Sequence, residues 1–176
     1  DMEKLGGLSR LMPWTALSFL LGGVAISALP PLNGFTSEFV IYSGLFTGEP
    51  VGPWDKVALV TGGAVLAFVG AVSALSITRA FGVVFLGTPR DASTHAPAEV
   101  SRWMLLPMGV HALGVIVLGV LPGLGFWLVR GSTELALAAL PTSGTAPAAD
   151  VLQPIADGLS RIGTVSGALA LAIGAL

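Results

Sequence analysis

Apolar residues run along this chain in long stretches divided by short polar punctuation, and three windows of about twenty residues carry no interior charge. Such a window, at 1.5 Å per residue, matches the thickness of bilayer hydrocarbon. Residues 1–13, DMEKLGGLSRLMP, are polar at the start and interrupted by Gly6-Gly7. They predict a connection at a membrane face, with Glu3 and Lys4 making ordinary surface contacts there. Pro13 sits where a helix can begin without losing a bond. Trp14 to Leu29 is uncharged and helical in character, but at 16 residues it is short of a full span. Pro30-Pro31-Leu32-Asn33-Gly34 follows, where two prolines remove donors and a glycine relieves the backbone, so regular helix must stop. The pattern resumes in FTSEFVIYSGLF, residues 35–46.

Residues 14–46 number 33, too few for two crossings at about twenty each and ample for one with an unwound middle. The expectation is a single discontinuous helix over 14–46. The alternative is a tight interhelical turn at Pro30-Pro31, which leaves the second half as a stub. After a turn-rich loop, TGEPVGPWD, with Glu49 and Asp55, a helix is predicted over 56–86. At roughly 45 Å it is longer than the hydrocarbon and must tilt or protrude. Its small residues Gly63, Ala67, Gly70 and Ala74 recur at helical spacing and predict a face for close helix packing. A polar loop over 87–102 leads to a further span, 103–129, with Pro107 near its entry and Pro122 loosening its far end. Over 130–158 a short interfacial helix, with Arg130 and Glu134 one turn apart, precedes a flexible linker. Residues 159–176 begin another transmembrane helix. The fold class expected is all-α, a polytopic transmembrane bundle with one discontinuous helix.

Composition agrees: 53% of residues are hydrophobic, 10% are charged, and mean hydropathy is +0.86, against roughly 25% charge in a soluble domain. The chain opens at Asp1 and ends inside an apolar run, as a piece of a longer bundle would. No segment has the layout of a signal peptide. With no cysteine, thiol and iron–sulfur chemistry are excluded within these residues. A net charge of −2 without a basic run offers nothing to nucleic acid. Alternating crossings place residues 1–13 and 87–102 on one side, face A, and residues 47–55 and 130–158 on the other, face B. A slight basic excess makes face A cytoplasmic by the positive-inside rule.

Glu38 carries most of the chemistry. It lies four residues past Gly34 and about 12 Å inside the end of the second half-helix. A carboxylate at that depth is costly unless it faces protein or water, and it is suited to exchanging protons. Broken helices expose free carbonyls, amides and helix ends near the midplane, which is how secondary transporters build ion sites. The competing reading makes Glu38 an interfacial residue that snorkels. Arg79, about 10 Å deep, either pairs with a relay carboxylate or snorkels to face A as an anchor. His111 is a proton-path candidate, because an imidazole titrates near neutral pH, or else it bonds a backbone carbonyl. Ser27, Asn33, Thr36, Ser37 and Tyr42 bracket the break and either hold water there or, as with Thr36 or Ser37, cap the second half-helix. His95 lies in a loop, and neither histidine has sequence partners that suggest a metal site. No nucleotide-binding or zinc-hydrolase string occurs.

The string GGLSRLMPWTALSFLLGGVAISALPPLNGFTSEFVIY, above all its GGL…MP…PPLNGF…SE combination, resembles the proton-translocating antiporter-like family shared by respiratory complex I, multisubunit cation/proton antiporters and energy-converting hydrogenases. RAFGVVFLGTPR, residues 79–90, looks more like the large antiporter-like subunit of formate hydrogenlyase and hydrogenase-4-type complexes. The resemblance covers about residues 1–125. It implies a subunit of fourteen or more helices in two inverted repeats, each with one broken helix, of which this chain holds the second. The family's ionisable residue beside that break, lysine in some members and glutamate in others, falls on Glu38. The resemblance further implies a multi-pass plasma-membrane subunit of a bacterium or archaeon, with H+ as the translocated ion, no cofactor of its own, lipid around it, and redox centres in partner membrane and peripheral-arm subunits. A complex I or antiporter subunit, and a purely structural membrane subunit, stay open beside the hydrogenase-type reading.

Overall fold

A computed structural model of the chain describes residues 5–47, 52–90, 97–138 and 148–175. Glu3, Lys4, Glu49, His95 and most of the expected linker lie outside the described residues. All regular structure within them is helical: α1 (Pro13–Ile26), α2 (Asn33–Thr47), α3 (Pro53–Phe85), α4 (Arg102–Val120), α5 (Pro122–Ala138) and α6 (Ala148–Gly174), with one 3-10 turn at Leu8–Arg10.

Pro13 occupies the first turn of α1, where its missing N–H costs nothing. The far end of α1 closes as a Schellman motif: Leu29 N–H donates to the Val24 carbonyl (3.3 Å) and Ala28 N–H to that of Ala25 (3.1 Å). Ala28 takes the left-handed position, at φ 52°, that glycine usually fills. The Pro30–Pro31 peptide is cis, and α2 starts two residues on. Its first turn lies so close to α1 that a Cβ on Gly34 would overlap the Ala25 carbonyl oxygen. Only glycine fits there.

Contacts with α3 give the direction of the two pieces. Gly7 N–H donates to the Leu86 carbonyl (2.9 Å), and Phe19 packs on Phe81 and Phe85. Gly23 then faces Ile77, Glu38 faces Gly70, and Tyr42 and Phe46 face Gly63. Rising residue numbers in α1 and then α2 meet falling numbers in α3, so both pieces run the same way along one continuous antiparallel helix. A hairpin would have returned α2 toward Phe85. α3 begins at Pro53, three residues before the expected start, because Pro53 suits the first helical position and the Asp55 carboxylate accepts the Gly52 N–H (2.9 Å).

The span expected over 103–129 is divided. α4 ends at Val120, Leu121 leaves the helical region (φ −119°, ψ 65°), and Pro122 opens α5, which runs on to Ala138 through the stretch read as a separate interfacial helix. Pro122 has no N–H for the Leu118 carbonyl and disfavours helical geometry in the residue before it. The joint packs directly on the first break, since a Cβ on Gly119 would meet the Pro31 carbonyl oxygen and come 2.7 Å from Leu32 Cα. α6 lies mainly against α5 and also touches α4 and α2. It buries Leu159, Ile162 and Ser166 at helical spacing while Asp157, Ser160 and Arg161 face outward. The stretch 159–176 therefore continues a helix already begun at Ala148 instead of starting one.

Among the described helices α3 and α4 have the length and apolarity to cross a bilayer, and α1 is a shorter apolar helix. Phe68 and Leu75 on the outward side of α3 are 69% and 70% exposed. An apolar surface this extensive belongs against lipid or other membrane helices and not water. Trp14, Trp54 and Trp103 stand exposed in the first turns of α1, α3 and α4, where aromatic residues suit a membrane–water boundary.

Candidate functional site

Glu38 is one helical turn past Gly34, so the tight crossing of α1 and α2 fixes its place beside the break. Its half-buried side chain lies against α3 at Gly70. A Cβ on that glycine would be 3.4 Å from Glu38 Oε1 and 3.8 Å from Oε2. Gly63, seven residues away on the same face of α3, receives Phe46 and the edge of Tyr42, and those two rings stack at 6.1 Å. Gly63 and Gly70 thus let one stripe of α2, carrying Glu38 and Tyr42, approach the α3 backbone. Among the described residues the Glu38 carboxylate has neither a hydrogen bond nor an ion pair. Its two oxygens are therefore open acceptors.

The hydroxyls near the break divide into two kinds. Ser27 donates to the Gly23 carbonyl and Ser37 to that of Asn33, both at 2.8 Å and one turn back. Neither Thr36 nor Ser37 caps α2, because Ser37 already bonds within the helix and Thr36 is buried with its hydroxyl unpartnered. Ser166 of α6, 1% exposed, has an unpartnered hydroxyl as well. Two such groups in an apolar interior are uncommon, each costing about 1–3 kcal/mol.

The structure does not bring Arg79 or His111 to Glu38. Arg79 is nine residues beyond Gly70, which on a helix is half a turn round and about 13 Å along, and its side chain is exposed. His111 belongs to a cleft of about 490 Å³ between α1 and α4, lined by Thr15, Ser18, Phe19, Gly22, Pro107 and Met108 among others. Its Nδ1 is 2.7 Å from the Pro107 carbonyl oxygen. A carbonyl only accepts, so Nδ1 carries the hydrogen in this bond. No group of three His, Asp or Glu side chains able to hold a metal ion occurs among the described residues.

Sequence reasoning missed Glu99. Its carboxylate accepts the Trp14 N–H (2.9 Å) and the Thr15 hydroxyl (2.6 Å), closing the start of α1 from the segment that precedes α4. The Thr15 hydroxyl has the largest effect; desolvation, next in size, opposes it, and the backbone amides at Trp14, Val100 and Thr15 add to it, so the carboxyl is held below the usual glutamate range. Gly119 and the joint at Leu121 were missed too, although the G-V-L-P spacing was a signal for a helix end.

Residues 1–79 match the family model described as "NADH:quinone oxidoreductase/Mrp antiporter, TM". The chain is 39% identical over 112 residues to Hydrogenase-4 component B of Escherichia coli (strain K12), covering 61% of this chain and 16% of that protein. It is 36% identical over 138 residues to Formate hydrogenlyase subunit 3 of the same organism, 73% of this chain and 21% of the relative. With NADH-quinone oxidoreductase subunit L of Mycobacterium tuberculosis (strain ATCC 25618 / H37Rv) it shares 36% over 149 residues, 81% of this chain and 22% of the relative. The chain spans about a fifth of the length of these relatives. The matched stretch contains the break, Gly34, Glu38 and Gly70, and in it the chain is similar to the antiporter-like membrane subunits of NADH:quinone oxidoreductases, hydrogenases and Mrp antiporters.

Proposed function

We propose that this chain is part of the proton-translocating subunit of a membrane-bound, hydrogenase-type redox complex. α1, the break and α2 form one interrupted crossing, and Glu38 relays protons beside it. The observation that carries this reading is the Glu38 carboxylate, held against Gly70 with no partner among the described residues. A carboxylate tied up by an arginine or by several amides would be a poor relay. One that is half-buried and unpaired gains or loses a proton with its surroundings, so changes in local hydration or charge can drive uptake and release. Asn33 and Gly34 open the second half-helix, Pro30 and Pro31 keep the gap from closing into regular helix, and Tyr42 and Thr36 add polar lining. The chain's own residues carry protons; redox chemistry belongs to partner membrane and peripheral-arm subunits of the complex in the plasma membrane, with face A cytoplasmic.

A second reading, a complex I or cation/proton antiporter subunit, is favoured by the longer match to NADH-quinone oxidoreductase subunit L, over 81% of the chain. Both readings use Glu38 in the same way. The test is proton pumping and redox turnover in vesicles carrying the full complex with Glu38→Gln, after equal assembly is confirmed. Pumping is expected to fall at least tenfold; unchanged pumping would leave the break a structural feature only.

A further inference from the structure

At about 100° per residue, Arg79 falls within about 40° of Val65, Phe68, Val72 and Leu75 on α3, and about 180° from Gly70, which receives Glu38. These five side chains form one stripe on the side of α3 turned away from α1 and α2, and all five are exposed. Arg79 makes no hydrogen bond or ion pair among the described residues, and Glu38, on the opposite side of the same helix, is out of its reach. A guanidinium does not shed its charge, and an unpaired charge amid apolar surface is costly in a membrane. An anion must therefore meet it from outside the described residues.

A lipid phosphate at face A and a carboxylate on a neighbouring helix are the two candidates, and the direction of α3 decides between them. Arg79 lies seven residues, about 10 Å, below Leu86, whose carbonyl accepts the Gly7 amide at the face A end. Side chains on a helix lean toward its N-terminus. α3 ends at face A, so that lean carries the guanidinium away from the headgroups there and down over Leu75. The stripe from Val65 to Arg79 is about 21 Å long, roughly four turns, and seats a helix along its length. The relatives extend well beyond the stretch they share with this chain, which provides for further helices beside α3.

We propose that this stripe of α3 is the seat of another membrane helix, one whose Asp or Glu side chain pairs with Arg79. The fork of guanidinium N–H donors fits a carboxylate two bonds at a time, and the apolar residues beside it exclude water and fix the register of the two helices. The pairing needs only the membrane setting of α3, so it stands or falls independently of proton transfer at Glu38.

The test uses the full complex in its own membrane. The photoreactive p-benzoylphenylalanine is placed at Leu75, the exposed position one turn before Arg79, and the product of illumination is mapped by mass spectrometry. Attachment to one membrane helix, with an Asp or Glu within a turn of the attachment point, is expected. Attachment to phospholipid alone, or to a helix with no acid there, overturns the proposal. Charge reversal gives the second readout: Arg79→Glu should lower the yield of assembled complex at least fivefold, and changing the mapped acid to Lys in the same complex should restore most of it. Unchanged assembly in Arg79→Glu, or no recovery on reversing both charges, also overturns the pairing.

Discussion

Glu38 and Glu99 are the same side chain in opposite circumstances. Glu99, near face A, accepts an amide and a hydroxyl at the start of α1, and those donors hold its carboxyl deprotonated. Glu38, one turn past the break, lies against a glycine and has no donor among the described residues. The contrast teaches that a carboxylate's partners, more than its depth, decide whether it is tied to a helix end or left open to its surroundings. A fully bonded carboxylate resists protonation. An unbonded one responds to each change around it.

Exchanging each acid for its amide is the strongest way to break this comparison. Glu38→Gln should lower pumping at least tenfold at unchanged assembly, whereas Glu99→Gln should keep more than half of it in the same vesicles. Equal losses would erase the distinction. Next comes the support of Glu38. Gly34→Ala forces a Cβ into the Ala25 carbonyl and should destabilise the subunit by about 2–3 kcal/mol, read as a lower midpoint of thermal unfolding in detergent. If that midpoint is unchanged, the tight crossing does not position Glu38.

Acidification tests the bonds of Glu99. The folded-state pKa of Glu99 is depressed, so its stabilisation is fully present above the ordinary glutamate value and is lost as pH falls through the lower, folded one. The unfolding midpoint of the unaltered protein should therefore exceed that of Glu99→Gln at neutral pH, with the gap closing below the ordinary glutamate range. A gap independent of pH would mean that the bonds to Trp14 and Thr15 do not depend on charge. The smallest effect is expected at Ala28. Ala28→Gly relieves a left-handed alanine at φ 52° and should raise stability by about 0.5 kcal/mol.

What could be read from the sequence was local. Two prolines and a glycine in five residues announce a helix end wherever the chain goes, and a carboxylate one turn later inherits its place from them. Gly63 and Gly70 could be read as a packing face because helical spacing alone puts them on one side of α3. The carbonyl bond of His111 was legible as an alternative, since its partner is four residues back. By contrast, the Glu99 bonds to Trp14 and Thr15 span more than eighty residues, and Gly119 meets Pro31 across a similar separation. No periodicity encodes such pairings. Pro122 was read as loosening a helix that it ends, because the pattern of apolar residues continues unbroken across it while the hydrogen-bond ladder does not.

The central claim is that Glu38 changes protonation during turnover and Glu99 does not. Infrared difference spectroscopy of the working complex, in the carboxylic-acid carbonyl stretching region, tests it most directly. A band from transient protonation should be present in the unaltered protein, absent in Glu38→Gln and retained in Glu99→Gln. The same band persisting in Glu38→Gln would contradict the account.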